Sequence, residues 1–397
     1  MVPTRLSLPD KPSIAVLPFT NMSGDSEQEF FSDGITEDII TELSRYKSLF
    51  VVARNSSFVF RGRAVDVRDI GSALGVRYVL EGSIRKAGER VRVTAQLINS
   101  SSGHHVWADR YDGSLKDVFA LQDEISRMIV STIAGRLEDS HTQRLCLRPT
   151  EDLNAYELVL RGLKYMHSHP REDSERAREC FESAISRDPN FARAHACLAM
   201  VEAYNWFWDS NFDRLERAVK IGEAAFALDP HESKCHLAIG LAQLFRRRHE
   251  KSQFHLSRAS ELNPNDDLIM VENGRYLMYT GEAALGADLV RQAMRRNPYH
   301  PNWYWNVLGR CLHTAQDFHK AISMFERITV PQFWTHAFMA ACYAGLSQPA
   351  EAANQLNKAM TLKPNLSISE FSKFLPYQYE TDLQRFVDGL RRAGLPE

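Results

Sequence analysis

Six prolines in the C-terminal half of the chain recur at a nearly constant spacing. Five of them follow a run with helical character, where the ring of proline ends a helix because it removes a main-chain donor. The six prolines stand at positions 189, 230, 264, 298, 331 and 364, at steps of 41, 34, 34, 33 and 33 residues. A period near 34 is the length of a helix–turn–helix unit, which must stack on copies of itself to bury its apolar face. More than half of the chain is therefore predicted to be a scaffold that presents a surface, which favours a binding protein over an enzyme.

The composition of the chain narrows the class of protein further. The 397 residues suffice for two or three domains, and the formal net charge of −2 argues against a general nucleic-acid binder. The six cysteines form no CxxC pair, which favours reduced, buried thiols over a zinc site or a disulfide framework. The sequence shows neither a secretory signal nor a run of about 20 apolar residues. We predict a cytoplasmic protein with no membrane span, no direct nucleic-acid contact and no cofactor.

The N-terminal part has the pattern of one sheet of mixed strand direction with helices packed on it. A continuous apolar run at 14–17 predicts a buried strand, and residues 91–97 alternate as a half-buried antiparallel strand does. Gly75 stands where a left-handed cap would close a short helix. The acidic residues Glu37 and Asp38 are interpreted as solubilising groups on an exposed helix face. The predicted order is strand 14–17, helix 23–43, strand 49–53, helix 66–74, strands 78–86, 90–99 and 104–111, and a helix over about 115–137.

Four separated motifs of this part resemble a known family. Residues Pro12–Phe19, Phe31–Ile39, Gly75–Ile84 and Trp107–Tyr111 resemble the domain related to the N-terminal domain of TolB. The resemblance covers residues 12–139. In that family the domain commonly lies between an N-terminal effector and a tetratricopeptide array. The effector is often a class III adenylate or guanylate cyclase of bacterial, rhizobial type, or a winged-helix DNA-binding domain.

The repeats resemble tetratricopeptide units, whose pattern is clearest at Trp305-x2-Leu308-Gly309-x2-Leu312. We predict about six units over residues 153–366 and a terminal helical cap over 367–397. The second unit is longer by seven residues, and the extra residues, which include 205–209, are predicted to lengthen its turn, which either protrudes from the array or packs back on it. The segment 246–249 is interpreted as a solvated basic turn at a helix end.

The resemblance to tetratricopeptide proteins implies a concave groove lined by the first helix of each unit. Arg275, Arg310 and Asn306 would hold a peptide carboxylate, with Tyr279 and Trp303 in apolar contact. The alternative is that these are ordinary solvated or inter-repeat residues. The residues assigned to the groove are Lys234, Leu237, Leu241, Val271, Arg275, Met278, Tyr279, Trp303, Asn306, Arg310 and His313.

Catalytic motifs are not found in this sequence, and no catalytic or metal-binding residues are assigned. The metal-binding aspartates of a cyclase would belong to a domain ahead of residue 12, where only eleven residues stand. We therefore expect a non-enzymatic interaction or regulatory module in cyclase-type signalling. It would bind a protein or peptide partner and act on a separate output domain in trans. Two alternatives stay open: a member or fragment of an adenylate cyclase, and an interaction protein of the envelope, located in the periplasm.

Overall fold

The computed structural model describes residues 6–88, 90–114, 118–133, 150, 152–168, 171–209 and 211–397. Its N-terminal part is a mixed sheet with helices on both faces. The strands are β1 Ser13–Val16, β2 Thr20–Asn21, β3 Phe50–Val51, β4 Tyr78–Ala87, β5 Arg90–Asn99 and β6 His105–Ser114. The helices are α1 Glu29–Ser44, α2 Arg54–Phe58, α3 Val67–Leu74 and α4 Val118–Ile133.

The sheet is parallel on one side and antiparallel on the other. Its strand order is β3-β1-β4-β5-β6, with β2 paired to the far part of β4. β1 runs parallel to β3 and β4, whereas β4, β5 and β6 form an antiparallel meander. The predicted mixed sheet is thus confirmed. The short elements β2 and α2 were not predicted, because two and five residues carry no measurable periodicity.

Local chemistry explains the ends of α3. The carboxylate of Asp66 accepts a hydrogen bond from the Arg68 main-chain N–H at 2.8 Å and so caps the first turn. Gly75 ends the helix with φ at 65°, in the left-handed region, as predicted. A Cβ at this position would also lie 2.9 Å from Leu6, so space and backbone both require glycine.

From residue 153 onward the described chain is helical and pairs its helices in sequence. Units 1 to 6 are the consecutive pairs that begin with α5, α7, α9, α11, α13 and α15. The helices are α5 Leu153–Ser168, α6 Arg171–Arg187, α7 Ala192–Asp209, α8 Phe212–Leu228, α9 Ser233–Phe245, α10 His249–Leu262, α11 Asp267–Tyr279, α12 Ala283–Arg296, α13 Trp303–Thr314, α14 Phe318–Phe325, α15 Phe333–Gly345, α16 Pro349–Leu362, α17 Ile368–Phe374 and α18 Glu380–Ala393. This confirms the fold class, a mixed-sheet α/β domain followed by a tetratricopeptide-like helical solenoid.

The extra residues of unit 2 are helical. α7 continues to Asp209, and the indole of Trp206 is fully buried, with its ring centroid 4.4 Å from that of Phe245. The prediction of a lengthened turn is wrong, because burial of this indole against unit 3 favours continuation of the helix.

The turn at 246–249 is also not simply solvated. Arg247 has φ at 59°, and its guanidinium donates to the carbonyl oxygens of Ser372 at 2.6 Å and Leu375 at 2.9 Å. Arg246 pairs with Glu216 at 2.5 Å. The interpretation as a basic turn in contact with solvent is confirmed at Arg247 and Arg248, which are exposed, and Arg247 in addition binds the C-terminal segment.

The C-terminal segment covers more than the last unit. In α18 the ring of Phe386 stacks on Phe338 of unit 6 at 4.2 Å. The preceding residues 375–379 run back along units 4 and 5, where the Gln378 N–H donates to the Tyr279 carbonyl at 2.9 Å. Tyr377 is buried there, with its hydroxyl 2.9 Å from that of Thr314.

The α/β domain and the first unit share one apolar core. It contains sheet residues such as Ile14, helix residues such as Ile35, and Tyr156 and Phe181 of unit 1. α1 packs so tightly on α5 that a Cβ at Gly34 would lie 2.3 Å from Leu160. Units 2 to 6 and the C-terminal helices form a second core. The α/β domain is thus anchored to the start of the solenoid by buried apolar surface. Each Å² of apolar surface removed from water stabilises this contact by about 25 cal/mol.

Candidate binding chamber

A cavity of about 2100 Å³ lies between the concave side of the solenoid and the α/β domain. We call it the chamber. Its walls come from α1 and residues 45–55, from α4, from the helices of units 1 to 6, and from Phe371 and Leu375 of the C-terminal segment. Sequence reasoning placed a groove on the repeats alone, so the contribution of the α/β domain was missed.

Five of the predicted groove residues line the chamber: Lys234, Arg275, Trp303, Asn306 and Arg310. Tyr279 and His313 do not. Tyr279 is fully buried, and His313 is enclosed by the rings of Phe318, Phe338 and Phe386.

Four apolar positions assigned to the groove face are also interior. Leu237, Leu241, Val271 and Met278 have no exposed surface. The first helix of each unit contacts helices on several sides, as the burial of almost all of α9 shows, so its apolar side chains pack between helices. Their assignment to an open groove is wrong for this reason.

Two of the lining cations are neutralised within the array. Lys234 pairs with Asp266 at 2.6 Å, and Arg275 pairs with Glu272 at 2.7 Å. Burial lowers the pKa of each cation, but the neighbouring carboxylate outweighs burial, and the net pKa is raised in both. Glu272 itself has no exposed side-chain surface. Removing either cation would therefore leave a buried carboxylate without its counter-ion.

Arg310 differs from both. It is 5% exposed, donates to the Tyr279 hydroxyl, and lies with its guanidinium carbon 4.8 Å from the ring centroid of Phe338. Its Nε atom has no hydrogen-bond partner among the residues whose structure is described. Among the residues that the structure describes, no carboxylate lies within 4 Å of it. A buried positive charge is thus held at the chamber wall by a hydroxyl and aromatic rings rather than by an acid.

His313, beside Arg310, is kept neutral mainly by burial. Burial and then the charge of Arg310 lower the pKa of His313 to about 3, so this imidazole is neutral near pH 7. Asn306, one helical turn before Arg310, donates its amide to the Thr335 hydroxyl at 3.0 Å. Trp303 lies under the Arg275 guanidinium at 5.8 Å. This end of the chamber combines a cation without a carboxylate partner in the described part of the chain, an amide and aromatic surface, which together suit an anionic group with an apolar neighbour.

The opposite wall joins three helices through one carboxylate. Asp38 of α1 accepts from Arg193 of α7 and from the Tyr156 hydroxyl of α5. Glu37 pairs with Arg54 at 3.0 Å. The interpretation of these acids as exposed solubilising groups is wrong, and no signal in a single sequence could reveal a partner 155 residues away.

Within the described part of the chain, no group of three or more His, Cys, Asp or Glu residues is arranged to hold a metal ion. Helices long and apolar enough to cross a bilayer are likewise absent from the described ranges.

Comparison with known proteins connects parts of the chain to two groups. Residues 10–128 match a family described as the second domain of HilA/YgeH-like transcriptional regulators. A protein of Rhizobium meliloti (strain 1021) named "Putative adenylate cyclase 3" is 41% identical over 249 residues, 62% of this chain. The chain spans 42% of the length of that relative. A cyclase-related protein is thus among its similar sequences.

Solved structures resemble the chain only at low identity. The Cut9–Hcn1 hetero-tetramer of the APC/C matches with a TM-score of 0.46 and 17% identity, over 61% of this chain and 43% of the other. YrrB, described as a TPR protein with an unusual peptide-binding site, matches with a TM-score of 0.33 and 19% identity, over 47% and 94%. TolB from Acinetobacter baumannii matches with a TM-score of 0.24 and 17% identity, over 32% and 30%. At these TM-scores the likenesses do not bear on function, and the TolB resemblance stays a prediction.

Proposed function

We propose that this chain is a non-enzymatic interaction module that binds a protein or peptide partner in the chamber. The observation that carries the proposal is Arg310, a buried cation on the chamber wall that has no carboxylate of the described residues within 4 Å. Keeping such a charge out of water is unfavourable unless something else compensates it. A carboxylate or other acidic group of the partner supplies that compensation, with Asn306 and Trp303 beside it.

The remaining predicted residues have supporting roles in this proposal. Lys234 and Arg275 line the chamber as members of ion pairs and do not bind the charged group of the partner. Tyr279 and His313 lie behind the residues that line the chamber. The Tyr279 hydroxyl accepts a hydrogen bond from Arg310 and so positions it, and His313 adds no second positive charge because its imidazole is neutral. The partner therefore contacts Arg310, Asn306 and Trp303.

The signalling context rests on the relative named as a putative adenylate cyclase. We propose that the α/β domain, related to the N-terminal domain of TolB, and the solenoid form the regulatory part of a cyclase-type system. A catalytic domain would then be the output, acted on in trans or carried by a longer chain. Location in the cytoplasm belongs to the same proposal, and export of a periplasmic reporter fusion would instead favour the envelope alternative.

The proposal is tested by affinity capture with the whole chain as bait, beside Arg310→Met. Arg291→Met is the matched control, because Arg291 is exposed on α12 and pairs with Asp288 away from the chamber. A charge-assisted hydrogen bond contributes about 1.5–3 kcal/mol, so the affinity of the captured partner should fall about 10- to 100-fold in Arg310→Met and stay unchanged in Arg291→Met. Equal affinity for all three proteins would refute the role of Arg310.

The relative's name favours one second candidate, a part of an adenylate cyclase with its own activity. Purified chain with ATP and Mg²⁺ or Mn²⁺ separates the two. Formation of cyclic AMP above a buffer blank, retained after a second chromatographic step, would overturn the non-enzymatic assignment.

A further inference from the structure

The α/β domain touches the solenoid through ion pairs such as Asp38–Arg193 and, in addition, at two places that differ in chemistry. The first is the apolar anchor of α1 on α5. The second, which we call the latch, joins residues 44–56 of the α/β domain to the turns that follow α10 and α12. These turns contain the Asn263-Pro264-Asn265 and Asn297-Pro298 motifs of the repeat period.

The latch consists of hydrogen bonds between uncharged groups. The Asn265 side-chain amide donates to the carbonyls of Ser44 at 3.1 Å and Tyr46 at 2.9 Å. The Ser56 hydroxyl donates to the Asn297 side-chain oxygen at 2.7 Å. Three main-chain donors complete it: Ala53 N–H to the Arg296 carbonyl at 2.8 Å, Tyr299 N–H to the Ser56 hydroxyl at 2.8 Å, and Asn265 N–H to the Ser44 carbonyl at 3.2 Å.

The latch also has aromatic and apolar contacts, in which Tyr299 packs against the apolar core of the α/β domain. The Arg296 guanidinium lies over Phe50 at 5.3 Å, and the rings of Phe60 and Tyr299 meet edge to face at 6.2 Å. Burial lowers the pKa of Arg296, so the closed contact disfavours this charge.

These features make the latch the easier of the two contacts to open. Water replaces each neutral hydrogen bond at a net loss of about 0.5–1.5 kcal/mol, so the six bonds of the latch together contribute about 3–9 kcal/mol. Separating the anchor would expose continuous apolar surface instead. Each unit of a solenoid contacts its neighbours, so small rotations per unit add up to a large displacement at the latch.

Opening the latch would open the chamber wall itself. Residues of the latch that also line the chamber are Ser44, Tyr46, Ala53, Asn265 and Asn297. We infer that the latch is the gate of the chamber: it separates while the anchor stays closed, and the partner's segment enters through the gap. Entry through this gap rests on the proposed function, whereas the opening of the latch does not.

The test uses Ser56→Cys/Asn297→Cys in the whole chain, because the side-chain oxygens of these residues are 2.7 Å apart. Hydrogen exchange is measured at the amides of Ala53 and Asn265, with Val93 of the central strand β5 as reference. In the reduced protein both latch amides should exchange at least tenfold faster than Val93, and oxidation should slow them at least tenfold. Latch amides that exchange as slowly as Val93, or equally in both redox states, would overturn the gate.

A second variant covers the case in which the disulfide does not form or the double variant does not fold. Asn265→Ala removes the two side-chain bonds to Ser44 and Tyr46. Exchange at Ala53 should then rise at least fivefold while Val93 is unchanged. No rise at Ala53, or an equal rise at both amides, would contradict separate opening.

Entry is measured by stopped-flow fluorescence with a fluorescein-labelled decaglutamate peptide. The oxidised double variant should associate at least tenfold more slowly than its reduced form. Equal rates would refute entry through the latch. Binding to neither form, together with the expected exchange difference, would leave the opening intact and count against the proposed acidic partner.

Discussion

Arg193, near the start of α7, donates a hydrogen bond to Asp38 of α1, which lies 155 residues earlier. The two side chains are 16% and 10% exposed. Burial lowers the pKa of Arg193, but Asp38 and the further groups around it, among them Glu232 and Glu37, together outweigh burial and hold this pKa well above its usual value. The ion pair therefore depends on both members, and it fixes the α/β domain against the second unit as well as the first.

Removing Asp38 should destabilise the whole chain. Asp38→Ala would leave the Arg193 guanidinium buried without a carboxylate, and we expect the free energy of unfolding to fall by about 3–5 kcal/mol. Asp112→Ala is the matched control, because Asp112 pairs with Arg92 while both are about half exposed, and should change stability by less than about 1 kcal/mol. Urea unfolding followed by circular dichroism measures both. Similar losses in the two variants would contradict a special role for Asp38.

Two arginines of the chamber should respond in opposite directions. Arg275→Met would leave Glu272 buried and unpaired, with an expected loss of about 3–5 kcal/mol. Arg310→Met would remove a buried charge that has no carboxylate, so stability should be kept or raised, within about 1 kcal/mol. Thermal and urea unfolding of the two variants and of the parent chain measure both changes in the free energy of unfolding. A large loss in Arg310→Met would show that its contacts with Tyr279 and Phe338 stabilise the fold, against its assignment to a partner.

This difference also limits how the chamber can be tested. A charge reversal at Arg275 would place a second carboxylate beside Glu272, and loss of binding would then report unfolding. Arg310 is the position where binding and stability can be separated.

The order of elements was predictable because it depends on local patterns. Proline at the end of successive units, alternation in β5 and Gly75 after α3 each act within a few residues of the chain. The placement of functional groups was less predictable. Lys234 and Arg275 look like free cations in the sequence, but Asp266 and Glu272 neutralise them in the fold.

Contacts between distant segments were beyond the reach of sequence patterns. Asn265 looks like a turn residue after proline, which it is, yet its amide also binds the main chain of the α/β domain 221 residues earlier. The same holds for Trp206, whose burial against unit 3 turns a predicted loop into helix. Periodicity shows which face of a helix is apolar, but not which distant surface meets its polar residues.

The close crossing of α11 and α12 gives a test of the repeat packing. A Cβ on Gly286 would lie 2.5 Å from the carbonyl oxygen of Gly274, an atom of the main chain that cannot rotate away. On helix propensity alone, Gly286→Ala would stabilise the protein by about 1 kcal/mol. We expect instead a loss of about 1–3 kcal/mol, because the two helices must move apart. A gain in melting temperature would mean that the helices are not in this contact.

The last prediction concerns acid. His313 has its pKa lowered to about 3 by burial and by the charge of Arg310, whereas an unfolded histidine has a pKa near 6.5. Between these values the unfolded chain binds a proton at this position that the folded chain does not. Stability from neutral His313 is therefore fully present above about pH 6.5 and falls by roughly 1.4 kcal/mol for each pH unit below it.

His313→Phe, whose new ring would lie among Phe318, Phe338 and Phe386, removes this dependence of stability on pH. Other histidines with lowered pKa, such as His255 and His300, keep theirs in both proteins and cancel in the comparison. Urea unfolding at pH 7.5 and pH 5 should show the variant losing about 2 kcal/mol less than the parent chain on acidification. Equal losses in the two proteins would mean that His313 takes up its proton in the folded state, beside Arg310.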